Sequence, residues 1–214
     1  MSQPSSSITG EVWKDPKLVA TFLTGVRAAL PHAADQLDVM LRVLAFTDRP
    51  IERVLDLGSG SGVLAAAMLD RFPDATVVLA DFSEPMLDAA RPIFPSPPHH
   101  LRAVDFSTPG WTGSVRDLAP FDAVVSGFAI HHQPDESKRR IYAEIFELLA
   151  PGAPFIHIEH VSSPSTFLES LKTHLATGGS IVCTTPHPSM DWVHWAGSRI
   201  GLFSQSANEE HQEL

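Results

Sequence analysis

Gly58, Gly60 and Gly62 stand at alternate positions, with a carboxylate before them at Asp56 and another after them at Asp81. Glycines this close lack the bulk that keeps a ligand away from the main chain, and N–H groups at the start of a following helix can meet a negatively charged group. Binding of a small cofactor is the chemistry they suggest. A Gly-rich turn also occurs where a strand and a helix merely pack closely, so Asp81 carries much of the argument. It lies about twenty residues past the turn, where a carboxylate at a strand tip can accept hydrogen bonds from both hydroxyls of a ribose. A phosphate-only site would not call for it.

Local sequence supplies the elements that position these groups. Val54-Leu55-Asp56-Leu57 is a short apolar run that predicts a buried strand, and Leu64-Ala65-Ala66-Ala67-Met68-Leu69 is a run of good helix formers. Thr76-Val77-Val78-Leu79-Ala80 predicts a second strand ending in Asp81. The glycine spacing then helps to separate two cofactor classes. A dinucleotide fingerprint reads G-x-G-x-x-G, whereas here the third glycine falls one residue early and Val63 holds the sixth position. Asp56 would also repel a pyrophosphate, while a cofactor bearing an ammonium and a sulfonium would tolerate it.

From about Val54 to Val161 the sequence resembles the class I S-adenosylmethionine-dependent methyltransferases. Val54-Leu55-Asp56-Leu57-Gly58-Ser59-Gly60-Ser61-Gly62 is similar to the family's first motif, and Val78-Leu79-Ala80-Asp81-Phe82-Ser83 with Met86 to its ribose-binding second strand. Ala103-Val104-Asp105-Phe106 resembles the adenine-contacting end of the third strand, and Phe121-Asp122-Ala123-Val124-Val125-Ser126 the fourth. The resemblance implies that Gly58, Ser59, Gly60 and Gly62 border the cofactor's amino-acid end, with Asp56 supporting its ammonium. It further implies that Asp81 holds the ribose, Phe82 and Met86 lie against the adenine, and Asp105 accepts from the exocyclic amine beside Phe106. Ser126 and Phe128 then lie beside the methionine and methyl group. For Phe82 and Met86 plain core packing is an equal alternative.

Methyl transfer from a sulfonium is an in-line displacement governed by alignment and desolvation, so no catalytic side chain is obligatory. A hydroxyl or amine acceptor must lose a proton, and His131-His132 lies just beyond the fourth strand as a candidate general base. A loop-capping role for the pair is the competing reading. His157, Glu159 and His160 form a second polar group at the end of a fifth strand. Alternation turns His157 and Glu159 to one face and His160 to the other, which favours substrate contact over a metal site.

The alternation of strand and helix from Ile51 to Val161 predicts an α/β, Rossmann-like, doubly wound sheet, mostly parallel, with helices on both faces. Residues 1–48 are expected to be an N-terminal tail and helical cap, 49–162 the cofactor-binding core, and 163–214 an atypical C-terminal region, all within one globular unit. In the cap, Val19, Phe22, Leu23, Val26 and Leu30 recur at helical spacing up to Pro31, and a second helix carries Leu37, Met40, Leu41 and Leu44. Their apolar faces are read as core packing, leaving Trp13 and Arg27 as residues of functional interest. The third strand is expected over Leu101–Asp105, with at most one brief helix between Ser107 and Pro120. After Val161, Thr166–Leu175 predicts a helix, Ile181-Val182 and Ile200-Gly201-Leu202-Phe203 short strands, and Ser206–Leu214 a frayed end.

Fifteen basic against twenty-five acidic residues give a formal net charge of −10, the wrong sign for a nucleic-acid surface and in keeping with a small-molecule methyl acceptor. Lys138-Arg139-Arg140 reads as a solvated helix face. Cys183 is the only cysteine, so no internal disulfide can form, and a small buried filler is its expected role. No apolar run reaches membrane-spanning length and the Ser-rich start does not read as a signal peptide, which makes a cytoplasmic location the expectation. Two alternatives remain open at this point: an NAD(P)-dependent oxidoreductase, and a non-catalytic protein that binds S-adenosylmethionine. The sequence leaves oligomeric state and acceptor identity open.

Overall fold

A computed structural model describes residues 10–21, 23, 33–47, 49–159 and 181–184. The chain enters through a 3-10 turn, Gly10–Lys14, then α1 (Pro16–Thr21) and α2 (Ala33–Ala45). Strands and helices then alternate: β1 (Arg53–Leu57), α3 (Val63–Arg71), β2 (Thr76–Asp81), α4 (Glu84–Ala90), β3 (His100–Ala103), β4 (Ala123–Gly127), α5 (Asp135–Leu148) and β5 (Phe155–Glu159). A final strand, β6 (Ile181–Thr184), follows. The sheet runs in the order β3-β2-β1-β4-β5-β6; the first five are parallel and β6 lies antiparallel to β5.

The central strands are mostly apolar because helices cover both faces, and their buried polar residues gather toward the carboxyl ends. On one side Val54, Val77, Leu79, Val125 and Ile156 meet α2 and α3 through Met40, Leu44, Ala65 and Met68. On the other, Leu55, Leu57, Val78 and Val124 meet Ile141, Ile145 and Leu148, which recur along one face of α5. Asp135 and Glu136 in the first turn of α5 complement its dipole, and Ser83 caps α4 by accepting the Met86 N–H at 3.3 Å.

Several elements differ from expectation in ways the backbone explains. The third strand occupies His100–Ala103 rather than Leu101–Asp105. Pairing with β2 ends at Asp81, and Asp105 instead turns the chain by accepting the Ser107 N–H at 2.9 Å. Between Ser107 and Pro120 there are two 3-10 turns, Trp111–Ser114 and Arg116–Leu118, where one brief helix was expected. Trp111 is buried and donates its indole N–H to Glu144 at 2.7 Å, which fastens this connection to α5. The strand expected at Ile181-Val182 is present and closes the sheet beside β5. Val26, Arg27, Leu30, His160, the helix over Thr166–Leu175, the strand over Ile200–Phe203, the end from Ser206 and the side chain of Cys183 lie outside the described residues.

All parallel strands point their carboxyl ends the same way, and the strand order reverses between β1 and β4. Ligands of open α/β sheets bind at such a reversal. The glycine turn follows β1 at this point, and the loop carrying His131 follows β4.

The three turn glycines all have positive φ, at +70°, +54° and +84°, but their surroundings differ. A Cβ at Gly62 would stand 2.4 Å from Phe94 and 2.6 Å from Leu79; one at Gly60 would meet only the Met86 sulfur at 3.8 Å. Gly62→Ala is therefore expected to cost about 3 kcal/mol, from left-handed strain plus overpacking, and Gly60→Ala about 1 kcal/mol from strain alone. Denaturant melts of the two variants check the ranking; equal losses would refute it. A second expectation concerns His99, which is buried and accepts the Val77 N–H on Nδ1 at 3.3 Å. Burial, then the neighbouring His100, lower its pKa. A depressed imidazole pKa contributes stability that is present above the unfolded value of about 6.5 and lost as pH falls through the folded one. The melting temperature should drop on acidification below pH ~6.5, less so in His99→Gln, which retains an acceptor; the same drop in both proteins would exclude His99.

Candidate cofactor and active site

The turn after β1 is held to β2 by the main chain. Gly58 and Ser59 donate to the Ala80 carbonyl at 2.7 and 3.2 Å, and Gly62 donates to Ser59 at 2.9 Å. The decisive contact involves a side chain: Gly60 N–H donates to Asp81 Oδ2 at 2.7 Å, while Oδ1 accepts the Ser83 N–H at 2.8 Å. The glycine bend and the acidic strand tip thus face and touch one another. Asp81 is 7% exposed. Burial raises its pKa, opposed by the N–H groups of Ser83, Gly60 and Phe82. A carboxylate has about four acceptor lobes, so these two bonds leave capacity for further donors.

The bend discriminates among its glycines. At Gly58 an added Cβ would lie 2.3 Å from the Ala129 Cβ, and at Gly62 it would enter the core, so both permit close approach by the protein's own atoms. Gly60 alone borders open space, next to Asp81 and Met86. A ligand with a diol and an apolar ring fits that corner: a carboxylate, the half-buried Phe82 ring and the Met86 thioether lie beside the open side of the bend. The N-terminal 3-10 turn approaches the same corner. The Trp13 carbonyl accepts a short hydrogen bond from the Ser83 hydroxyl, and the Lys14 ammonium lies 5.7 Å from the Phe82 ring centre.

Other residues singled out in the sequence have structural partners. Asp56 is 1% exposed, and its Oδ2 accepts the Ala65 N–H at 3.1 Å, one of the amide groups at the start of α3. Ser126 is buried and donates to the Leu57 carbonyl at 2.8 Å, which ties β4 to β1 at the strand-order reversal. Phe106 lies 3.4 Å from the position a Gly58 Cβ would take. Asp105 is exposed at the far side of the same end of the sheet. Phe128 has φ +52°, a strained value for a bulky residue, held by its N–H to the Ile158 carbonyl at 2.9 Å.

The histidines form a cluster that local sequence does not reveal. His131 Nδ1 lies 2.6 Å from Glu159 Oε1, and the His131 main-chain N–H donates to Oε2 at 3.1 Å. His157 Nε2 is 3.4 Å from Glu159 Oε2, and the Tyr142 hydroxyl is 3.4 Å from His157 Nδ1. His157 and Glu159 share one face of β5, as alternation requires. Tyr142 was not among the residues singled out, and no sequence signal ties its place on α5 to β5. Among the described residues no group of three or more His, Cys, Asp or Glu is arranged to hold a metal ion, and no helix is long and apolar enough to cross a membrane.

Comparison with known proteins bears on the same stretch. Residues 54–152 match the family model described as "Methyltransferase domain". A demethylmenaquinone methyltransferase of Thermus thermophilus is 33% identical over 116 residues, 53% of this chain and 49% of that protein. A trans-aconitate 2-methyltransferase of Deinococcus radiodurans is 34% identical over 106 residues, 49% of this chain and 36% of its own length. The chain thus spans about half, or less, of these curated relatives. Among solved structures, an S-adenosylmethionine-dependent methyltransferase of Clostridium acetobutylicum shares the fold with a TM-score of 0.53 at 18% identity, covering 77% of this chain and 62% of that one. The matched segment is the strand, turn and helix alternation that carries the glycine bend and Asp81, and over residues 54–152 this chain is similar to methyltransferase domains.

Proposed function

We propose that this chain binds S-adenosylmethionine at the carboxyl end of its sheet and directs the methyl group to a small-molecule acceptor. The observation that carries this reading is the Gly60 to Asp81 hydrogen bond, which presents an open main-chain bend and a carboxylate to one ligand. The cofactor supplies an electrophilic methyl on a positively charged sulfur. The chain's residues bind and orient it: Asp81 accepts from the ribose hydroxyls, Phe82 and Met86 flank the adenine with Asp105 and Phe106 at its edge, and Gly58, Ser59 and Gly60 border the amino-acid end. Gly62 acts one step removed, by allowing α3 to pack against Phe94 and Leu79. Ser126 and Phe128 shape the wall after β4. Asp56 contributes negative potential beneath the ammonium.

Asp56 also argues against the dinucleotide alternative. A pyrophosphate binds to free N–H groups at a helix start, and here the protein's own carboxylate takes the Ala65 N–H. A net charge of −10 favours a small acceptor over a nucleic acid. In this reading residues 49–162 are the cofactor-binding core, and the segment before it covers the adenosine side through Trp13 and Lys14.

Titration calorimetry tests the proposal. S-adenosylmethionine and S-adenosylhomocysteine should bind and NADH should not. Asp81→Asn retains an acceptor for Gly60 but replaces the carboxylate, and should weaken cofactor binding by at least tenfold; Asp81→Ala should weaken it on the order of 100-fold, given about 1.5–3 kcal/mol per hydrogen bond to a charged group. Tight NADH binding with indifference to the sulfonium ligands would reverse the assignment.

A further inference from the structure

Cofactor binding makes no use of the polar cluster where β4 and β5 end. Glu159 is 3% exposed, and both its oxygens meet His131, Oε1 at the ring and Oε2 at the main-chain N–H, with His157 Nε2 also 3.4 Å from Oε2. A loop that needed only a cap would be satisfied by the second contact. The first fixes the imidazole. A carboxylate can only accept, so a neutral His131 ring facing it would carry its proton on Nδ1 and leave a lone pair on Nε2. The His131 side chain is 34% exposed, which leaves that lone pair a route to a substrate and to water.

The surroundings support one proton acceptor rather than two. The rings of His131 and His132 are 3.9 Å apart, so two charged imidazoles would repel. Burial, then His131, depress the pKa of His132, with Glu159 opposing. Glu159 faces His131 directly, and His157 backs Glu159 from the far side with Tyr142 behind it. The loop itself is anchored at the turn, since Ala129, two residues before His131, abuts Gly58.

We propose that His131 is the general base of the methyl transfer with Glu159 as its positioning residue, so that the acceptor is a small molecule whose nucleophilic O–H or N–H must be deprotonated. This rests on the methyl-transfer reading above. The acceptor's lone pair forms the new bond to the methyl carbon, the carbon–sulfur bond breaks with its electron pair kept by sulfur, and the acceptor's proton passes to His131 Nε2. The imidazolium faces the Glu159 carboxylate and returns its proton to water through its exposed edge.

Two measurements test the assignment. In the first, nitrogen NMR of the imidazoles is recorded on the cofactor-free protein. Neutral His131 should be the Nδ1–H tautomer, and in Glu159→Gln, whose amide offers one oxygen to two donors, the Nε2–H form should gain. An Nε2–H tautomer in the unaltered protein overturns the proposal. In the second, transfer of a labelled methyl is followed over a panel of alcohols, phenols and amines against carboxylates, which are already anionic. His131→Gln should lower turnover of the protic acceptors by about 10²–10⁴-fold with cofactor affinity within a factor of two or so. Glu159→Gln should lower turnover less, through kcat rather than KM. Undiminished turnover in His131→Gln, or activity on carboxylates alone, refutes the base while leaving cofactor binding intact. Loss of S-adenosylmethionine binding in the unaltered protein would instead defeat the reading beneath it.

Discussion

The hydrogen bond from Gly60 N–H to Asp81 is the constraint on which the rest of the cofactor corner depends. It joins the bend after one parallel strand to the last residue of the next. Without it the middle of the bend would lose its tie to β2, and a buried carboxylate would lose one of the donors that offset its desolvation. Each partner therefore stabilises the other's conformation. The Ala80 carbonyl, which accepts from Gly58 and Ser59, holds the bend in register so that Gly60 faces the strand tip.

That arrangement divides the glycines by task. Gly62 is required by the core, because Phe94 and Leu79 occupy the space a side chain would fill, and Gly58 is required by the loop after β4. Of the three, only Gly60 leaves that space open. Close packing of the protein's own atoms thus accounts for two positions and leaves the third to the proposed ligand contact. One motif serves both because a tight bend that lets α3 close on the sheet also leaves the space beside Gly60 open.

Most of the fold was legible in the sequence because its signals are local. Apolar β-branched runs marked the strands, Ser83-Glu84-Pro85 marked the start of α4, and Pro151-Gly152 the end of α5. The juxtaposition of Gly60 and Asp81 was legible for the same reason, since bend and acid lie on consecutive strands at a spacing set by one helix. The third strand was placed too far along because Val104 and Asp105 continue the apolar-then-acid pattern while pairing stops at Ala103. The histidine and Glu159 cluster was legible only in parts. His131-His132 and the β5 residues were each noticed, but their pairing depends on β5 lying beside β4 with Glu159 in reach of the loop, and Tyr142 joins through the packing of α5. Such contacts arise from register and packing rather than from any run of residues.

One rule covers the three acids buried at this end of the molecule. Asp56, Asp81 and Glu159 are all under a tenth exposed, and each accepts main-chain N–H groups: Ala65 for Asp56, Gly60 and Ser83 for Asp81, and His131 for Glu159. Amide donors offset the cost of burying a carboxylate without adding a side-chain cation that would cancel its field. The carboxyl end of the sheet thereby carries negative potential fixed by the fold itself, and low-polarity walls focus it. A ligand with an ammonium and a sulfonium is drawn to such a surface, a pyrophosphate is repelled by it, and an imidazolium formed beside Glu159 is stabilised by it. The proposed cofactor choice and the proposed proton acceptance would then be two consequences of one electrostatic design, set by which backbone amides the strand order leaves facing inward.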